Sequence, residues 1–151
     1  MLALDAGERS TVRPMNDTTQ FLAAVLPRHE QAANALHSGD PRPLQEWLAT
    51  GEPVSVLPGM FPPQVGSEAV AATFMRAAAR FTAATPLSLE LLAADAVGDL
   101  GYTVLIEHSR VSIDGGPLQP NDLRVTHVYR REGEEWRLVH RHGGGGPASG
   151  A

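Results

Sequence analysis

Leu123-Arg124-Val125-Thr126-His127-Val128-Tyr129-Arg130-Arg131-Glu132-Gly133-Glu134-Glu135-Trp136-Arg137-Leu138-Val139-His140-Arg141-His142 is the stretch on which the fold turns. Two runs rich in β-branched and aromatic residues flank Glu132-Gly133-Glu134, whose glycine suits a tight reversal, so the stretch predicts an antiparallel hairpin of Asp122 to Arg131 and Glu135 to His142. The two-residue strand period puts His140 and His142 on one face with Trp136 and Leu138. An odd-length turn sets Arg124 and Thr126 beside those histidines, whereas a two-residue turn sets His127 and Tyr129 there. Both registers are open at this point.

Upstream, Leu87 to Val97 and Gly101 to Ile113 have the same character, joined by Gly98-Asp99-Leu100-Gly101 and continued through Asp114-Gly115-Gly116-Pro117 toward Asn121. Four strands with hairpin links predict an antiparallel meander. Before them the period changes. From Thr18 to His37, Phe21, Leu22, Val25, Leu26, Ala32, Ala33 and Leu36 recur at helical spacing behind an Asn16-Asp17-Thr18 cap region. Pro27 predicts a kink or break inside that helix, because proline lacks the N–H and crowds the preceding turn. Pro43 to Thr50 predicts a short helix bearing Leu44, Trp47 and Leu48, and Pro53 to Leu57 a brief strand. Ser67 predicts the N-cap of a helix from Glu68 to Phe81. Helices first and a meander last is the pattern of an α+β domain with its helices on one face of the sheet.

A length of 151 residues suits one domain. Its expected limits are residues 16–143, with 1–15 a disordered lead-in and 144–151 a flexible Gly-rich tail. The absence of cysteine excludes disulfides, thiolate metal sites and cysteine nucleophiles. The 12 basic residues are all arginine and are scattered, and the net charge is −5, so a nucleic-acid partner is not expected. No run approaches the ~20 apolar residues of a membrane helix. The start of the chain has no signal-peptide pattern, and a cytoplasmic location is expected.

The closing hairpin, together with Ala35-Leu36-His37-Ser38-Gly39-Asp40-Pro41, Trp47, Pro53-Val54, Gly66 and Tyr102-Thr103-Val104, resembles the SnoaL-like, ketosteroid-isomerase-like group of the nuclear-transport-factor-2-like (NTF2-like) superfamily over residues 20–143. The resemblance implies a cone: a strongly curved antiparallel sheet, or half-barrel, with N-terminal helices over its concave face. It further implies a pocket for a small hydrophobic or amphipathic molecule, a homodimer formed through the outer sheet face, and isomerase, cyclase or dehydratase chemistry without a cofactor. Such folds host many reactions and also proteins with none, so the site must carry the argument for activity.

Glu107 and Arg124 are the first candidate pair: a turn centred between Gly115 and Gly116 sets them opposite each other with Tyr102 nearby. The arginine could hold a substrate oxygen while Glu107 acts as acid or base, although a structural salt bridge has the same signature. His140 is the second acid-base candidate, because histidine titrates near neutral pH. Tyr102, Arg124, Thr126 and His142 would line the pocket, and Trp47 would either stack on a ligand at its mouth or fill the core. No metal is expected, since His140-x-His142 lacks a clear third ligand. A tyrosine with paired aspartates, the constellation of steroid isomerases, has no match here. A ligand-binding or dimerisation module without catalysis is the alternative reading.

Overall fold

The structure is a computed structural model and describes residues 15–145. The expected lead-in except Met15, which opens the first helix, and most of the expected tail lie outside the described residues. In chain order the elements are α1 (Met15–His37), α2 (Arg42–Glu46), β1 (Ser55–Leu57), β2 (Gln64–Val65), α3 (Ser67–Arg80), β3 (Phe81–Ala84), β4 (Ser88–Val97), β5 (Leu100–Ile113), β6 (Gln119–Glu132) and β7 (Glu135–Gly145). The sheet has seven strands in the order β2-β1-β7-β6-β5-β3, with β4 also on β5. It curls into a half-barrel with α1 packed in its concave side, the expected α+β cone. The sheet is mixed rather than purely antiparallel, because β1 runs parallel to β7.

Three local expectations change. Helix α1 runs unbroken through Pro27, which is exposed along with Ala23, so solvent can hydrate the carbonyl that the missing N–H leaves free. Ser67 is the first helical residue of α3, not its cap. Gly66 holds the cap position at φ 104°, and the Glu52 carboxylate accepts the Ser67 N–H at 2.9 Å. Phe81 leaves the helix and opens β3, which pairs with the end of β5.

The core lies between α1, α2 and the concave sheet face, where Phe21, Val25, Trp47, Tyr129 and Leu138 are fully buried. Glycine is required at Gly101, where a Cβ would lie 2.7 Å from the Phe21 ring; its absence lets α1 seat against β5.

Register decides which residues face that core. Between β5 and β6, Glu107 pairs with Leu123 and Ile106 with Arg124, one residue away from the expected register. A one-residue shift sends every side chain to the other face. In the last hairpin Glu132 pairs with Glu135 across a two-residue turn. A bulge then leaves Val139 without a partner between the Tyr129–Leu138 and Val128–His140 pairs. The two-residue register therefore holds beside the turn, but beyond the bulge neither expected pairing occurs: Thr126 meets His142, Val128 meets His140, and Arg124 meets Gly144. Trp136 and Leu138 face inward while His140 and His142 face outward, contrary to the unbroken alternation. Strand β7 extends to Gly145, beyond the expected end at His142.

Candidate functional site

Four elements build a polar cluster inside the apolar cone. His29 follows Val25 by four residues and His37 follows Ala33 by four, so the helical period places both on the buried stripe of α1. Strand β5 supplies Glu107, β6 supplies His127 and Tyr129, and β7 supplies Arg141, directly opposite His127. Glu107 has no solvent exposure. It accepts from His29 Nε2 at 2.7 Å and from Arg141 Nη1 at 3.0 Å, with Nη2 at 3.4 Å. Arg141 Nη1 also donates to His127 Nε2 at 2.9 Å. A guanidinium only donates, so His127 Nε2 is the unprotonated nitrogen and Nδ1 carries the hydrogen toward the Tyr129 hydroxyl, 2.7 Å away. The rings of His29 and His127 stack at 4.3 Å.

Burial alone would push the Glu107 carboxyl up. The Arg141 cation and the His29 N–H more than offset that and hold it well below the usual carboxylate range. It is an anchored anion and a poor base. Burial drives His127 far below the usual imidazole value, and the neighbouring His29 and Arg141 add to the effect. Burial also raises the Tyr129 phenol. His37 is lowered by burial, with Glu107 and Arg141 acting on it in opposite senses, and its Nδ1 has no hydrogen-bond partner among the described residues. It is a neutral imidazole at neutral pH.

A cavity of about 500 Å3 opens beside this cluster, between the end of α1, α3, the far ends of β5 to β7 and the loop after β1. Its wall is mainly apolar, with Leu36, Phe74, Phe81, Val111 and Leu123 among its residues, and Arg141 and His37 are its charged and titratable inner groups. Such a concave, largely apolar space with a few polar groups is the usual form of a small-molecule site. Among the described residues no three metal-ligating side chains converge, and no helix is long and apolar enough to cross a membrane.

Of the expected site residues, Glu107 lies inside, but its arginine is Arg141 and not Arg124. The register shift carries Arg124 to the convex face, where Tyr102, Thr126 and His140 also lie. His140 is held there by Ser55, 2.7 Å from its Nδ1, and faces away from the cavity. His142 reaches the rim of the cavity. Trp47 is fully buried in the core, its indole N–H donating to the Trp136 carbonyl at 2.9 Å, so it packs and does not meet the cavity. The sequence reading missed His29, His37 and Arg141, and held His127 and Tyr129 only as the alternative that a two-residue turn would bring inside. The helical stripe signals the first two; the β7 bulge hides Arg141.

No curated protein matches the chain. Solved structures share the fold. An NTF2-like family protein of Streptomyces avermitilis, named as a candidate dehydratase, is 18% identical, covers 82% of this chain and 94% of its own, and superposes with a TM-score of 0.68. A ketosteroid isomerase-like protein from Erwinia carotovora is 11% identical over 82% of this chain and 94% of its own, at a TM-score of 0.67. An NTF2-like protein from Pseudomonas putida is 21% identical over 84% and 87%, at 0.65. These likenesses speak to the cone alone. The model of the SnoaL-like domain matches residues 27–144, from the middle of α1 through the strand that carries Arg141, and the chain belongs to that family.

Proposed function

We propose that this SnoaL-like protein binds a small apolar or carbonyl-bearing molecule in its cavity and catalyses cofactor-independent proton transfer, of the kind used in isomerisation, cyclisation or dehydration. The observation that carries the reading is the presence of neutral His37 and ion-paired Arg141 on the wall of one otherwise apolar cavity. His37 takes or returns the proton, and the Arg141 guanidinium sits where an oxygen gaining negative charge would rest. Glu107 acts through Arg141: fully buried and ionised, it fixes the orientation of the guanidinium and does not itself exchange protons. In this reading His142 contacts ligand at the rim, and Arg124, Thr126, Tyr102 and His140 serve the convex face. A second copy of the chain is the partner proposed for that face, where Tyr102, Val104 and Ile106 lie together. The cysteine-free composition fits a cytoplasmic setting.

The test is α-proton exchange. A panel of small ketones and enones is incubated with the protein in D2O, and deuterium uptake is followed by NMR. His37→Gln is expected to slow uptake by about 10²- to 10⁴-fold, the usual contribution of one acid-base group, with folding unchanged by circular dichroism. Ligands that bind without any exchange would replace the catalytic reading with that of a binding module.

A further inference from the structure

Gly143 stands two residues beyond Arg141 on the same concave face of β7, is buried, and borders the cavity. Its backbone does not lie in the left-handed region. A Cβ at this position would meet Leu123 Cδ2 at 3.4 Å, Arg141 Nη2 at 3.7 Å and Arg141 Nε at 3.8 Å, all ordinary van der Waals distances. Neither conformation nor packing therefore demands glycine, and a β-branched residue would suit the strand better. What the missing side chain does is leave one edge of the Arg141 guanidinium uncovered.

That edge is the one the buried cluster uses least. Nη1 is taken by Glu107 and His127 at 3.0 and 2.9 Å. Nη2 makes a single long contact of 3.4 Å to Glu107, and Nε has no hydrogen-bond partner among the described residues. Adjacent Nε–H and Nη2–H groups form a planar fork that matches the two oxygens of a carboxylate. Among the described residues no Asp or Glu borders the cavity, so none of them repels an anion from its wall. We infer that the cavity selects small molecules that carry a carboxylate on an apolar body, seated on the Nε–Nη2 edge of Arg141, and that Gly143 is the specificity-determining residue that keeps this edge open. The inference rests on the small-molecule reading above. Glu107 already shares the same cation from its far side, so the preference is moderate, about tenfold, a level that two directed donors can supply.

Isothermal titration of the full chain tests it, with benzoate, 2-naphthoate and octanoate each set against its primary amide. The acids are expected to bind about tenfold more tightly than the amides. Gly143→Val should erase that difference while the thermal midpoint holds, and Gly143→Ala, which adds one methyl group at distances the structure already tolerates, should reduce it if the valine variant fails to fold. Amides that bind as tightly as the acids would overturn the carboxylate preference while leaving a small-molecule cavity. A preference that survives Gly143→Val, or Gly143→Ala where valine does not fold, would overturn the role of the glycine. Failure of every acid and amide to bind would overturn the small-molecule reading and this inference with it.

Discussion

Glu107 and His108 are consecutive residues of β5, and each joins a cluster of acids and bases, yet the two clusters obey different physics because the strand sends them to opposite faces. Inside, Glu107 is fully buried, contacts His29 and Arg141, and its whole desolvation must be offset by those partners. Outside, His108 bridges Glu90 and Asp122 at 2.8 Å each, with all three side chains substantially exposed. The distances are almost equal. The energies are not, because water screens the outer trio and leaves the inner one to itself. Similar geometry thus makes an organising centre on one face and a minor cross-strand clasp on the other. Only the inner cluster can hold a side chain firmly enough to orient a ligand.

The largest expected effect tests that contrast directly. Glu107→Gln leaves the Arg141 cation buried beside a neutral partner and should cost about 3–5 kcal/mol in urea denaturation, the usual penalty for breaking a buried pair. A loss below about 1 kcal/mol would mean that the inner cluster behaves like the outer one. Next comes Gly101→Ala, where the new methyl would run into the Phe21 ring at 2.7 Å and lift α1 from the sheet. Overpacking of this kind should cost about 1–3 kcal/mol by thermal unfolding, and recovery in the pair Gly101→Ala with Phe21→Leu would confirm the contact as the cause.

The two faces should also answer pH with opposite signs. His37 and His127 are depressed below their unfolded value of 6.5, so the stability they contribute is present above that pH and is lost as pH falls toward their folded values. Glu107, held well below 4.5, extends the loss in the same direction at lower pH. Denaturation measured from pH 7 downward should show stability falling, and His127→Phe should flatten the upper part of that slope. His108 is raised by Glu90 first and Asp122 second, so its contribution is present below pH 6.5 and is lost as pH rises through its folded value. His108→Gln should therefore cost most near pH 6 and nothing at pH 9. Screening at this exposed site limits the cost to about 0.2–1 kcal/mol. A His108→Gln penalty that grows with pH would reverse the assignment.

The order of elements and the fold class were legible in the residues alone, because both depend on local pattern. The helical stripe from Phe21 to Leu36, the β-branched alternation of β4 to β7 and the glycine turns each act over a few neighbours, and together they point to an α+β domain; the cone itself was implied by the resemblance of the closing hairpin to the SnoaL-like group. The same stripe carried His29 and His37, so these two members of the inner cluster were readable as buried. The faces of the strands were not. They hang on the register around Gly115 and on the bulge at Val139, where one residue more or less reverses every side chain beyond it. Those choices are made by the packing of Trp136 and Tyr129 against Phe21 and by the seat that Gly101 provides for that ring, contacts between residues far apart in the chain. The sequence by itself determined that this chain makes a helix-lined half-barrel with titratable groups on its strands. Only the tertiary structure decided that Arg141, and not Arg124, meets Glu107 inside it, because which side of a strand is buried is a property of the packed sheet and not of the strand.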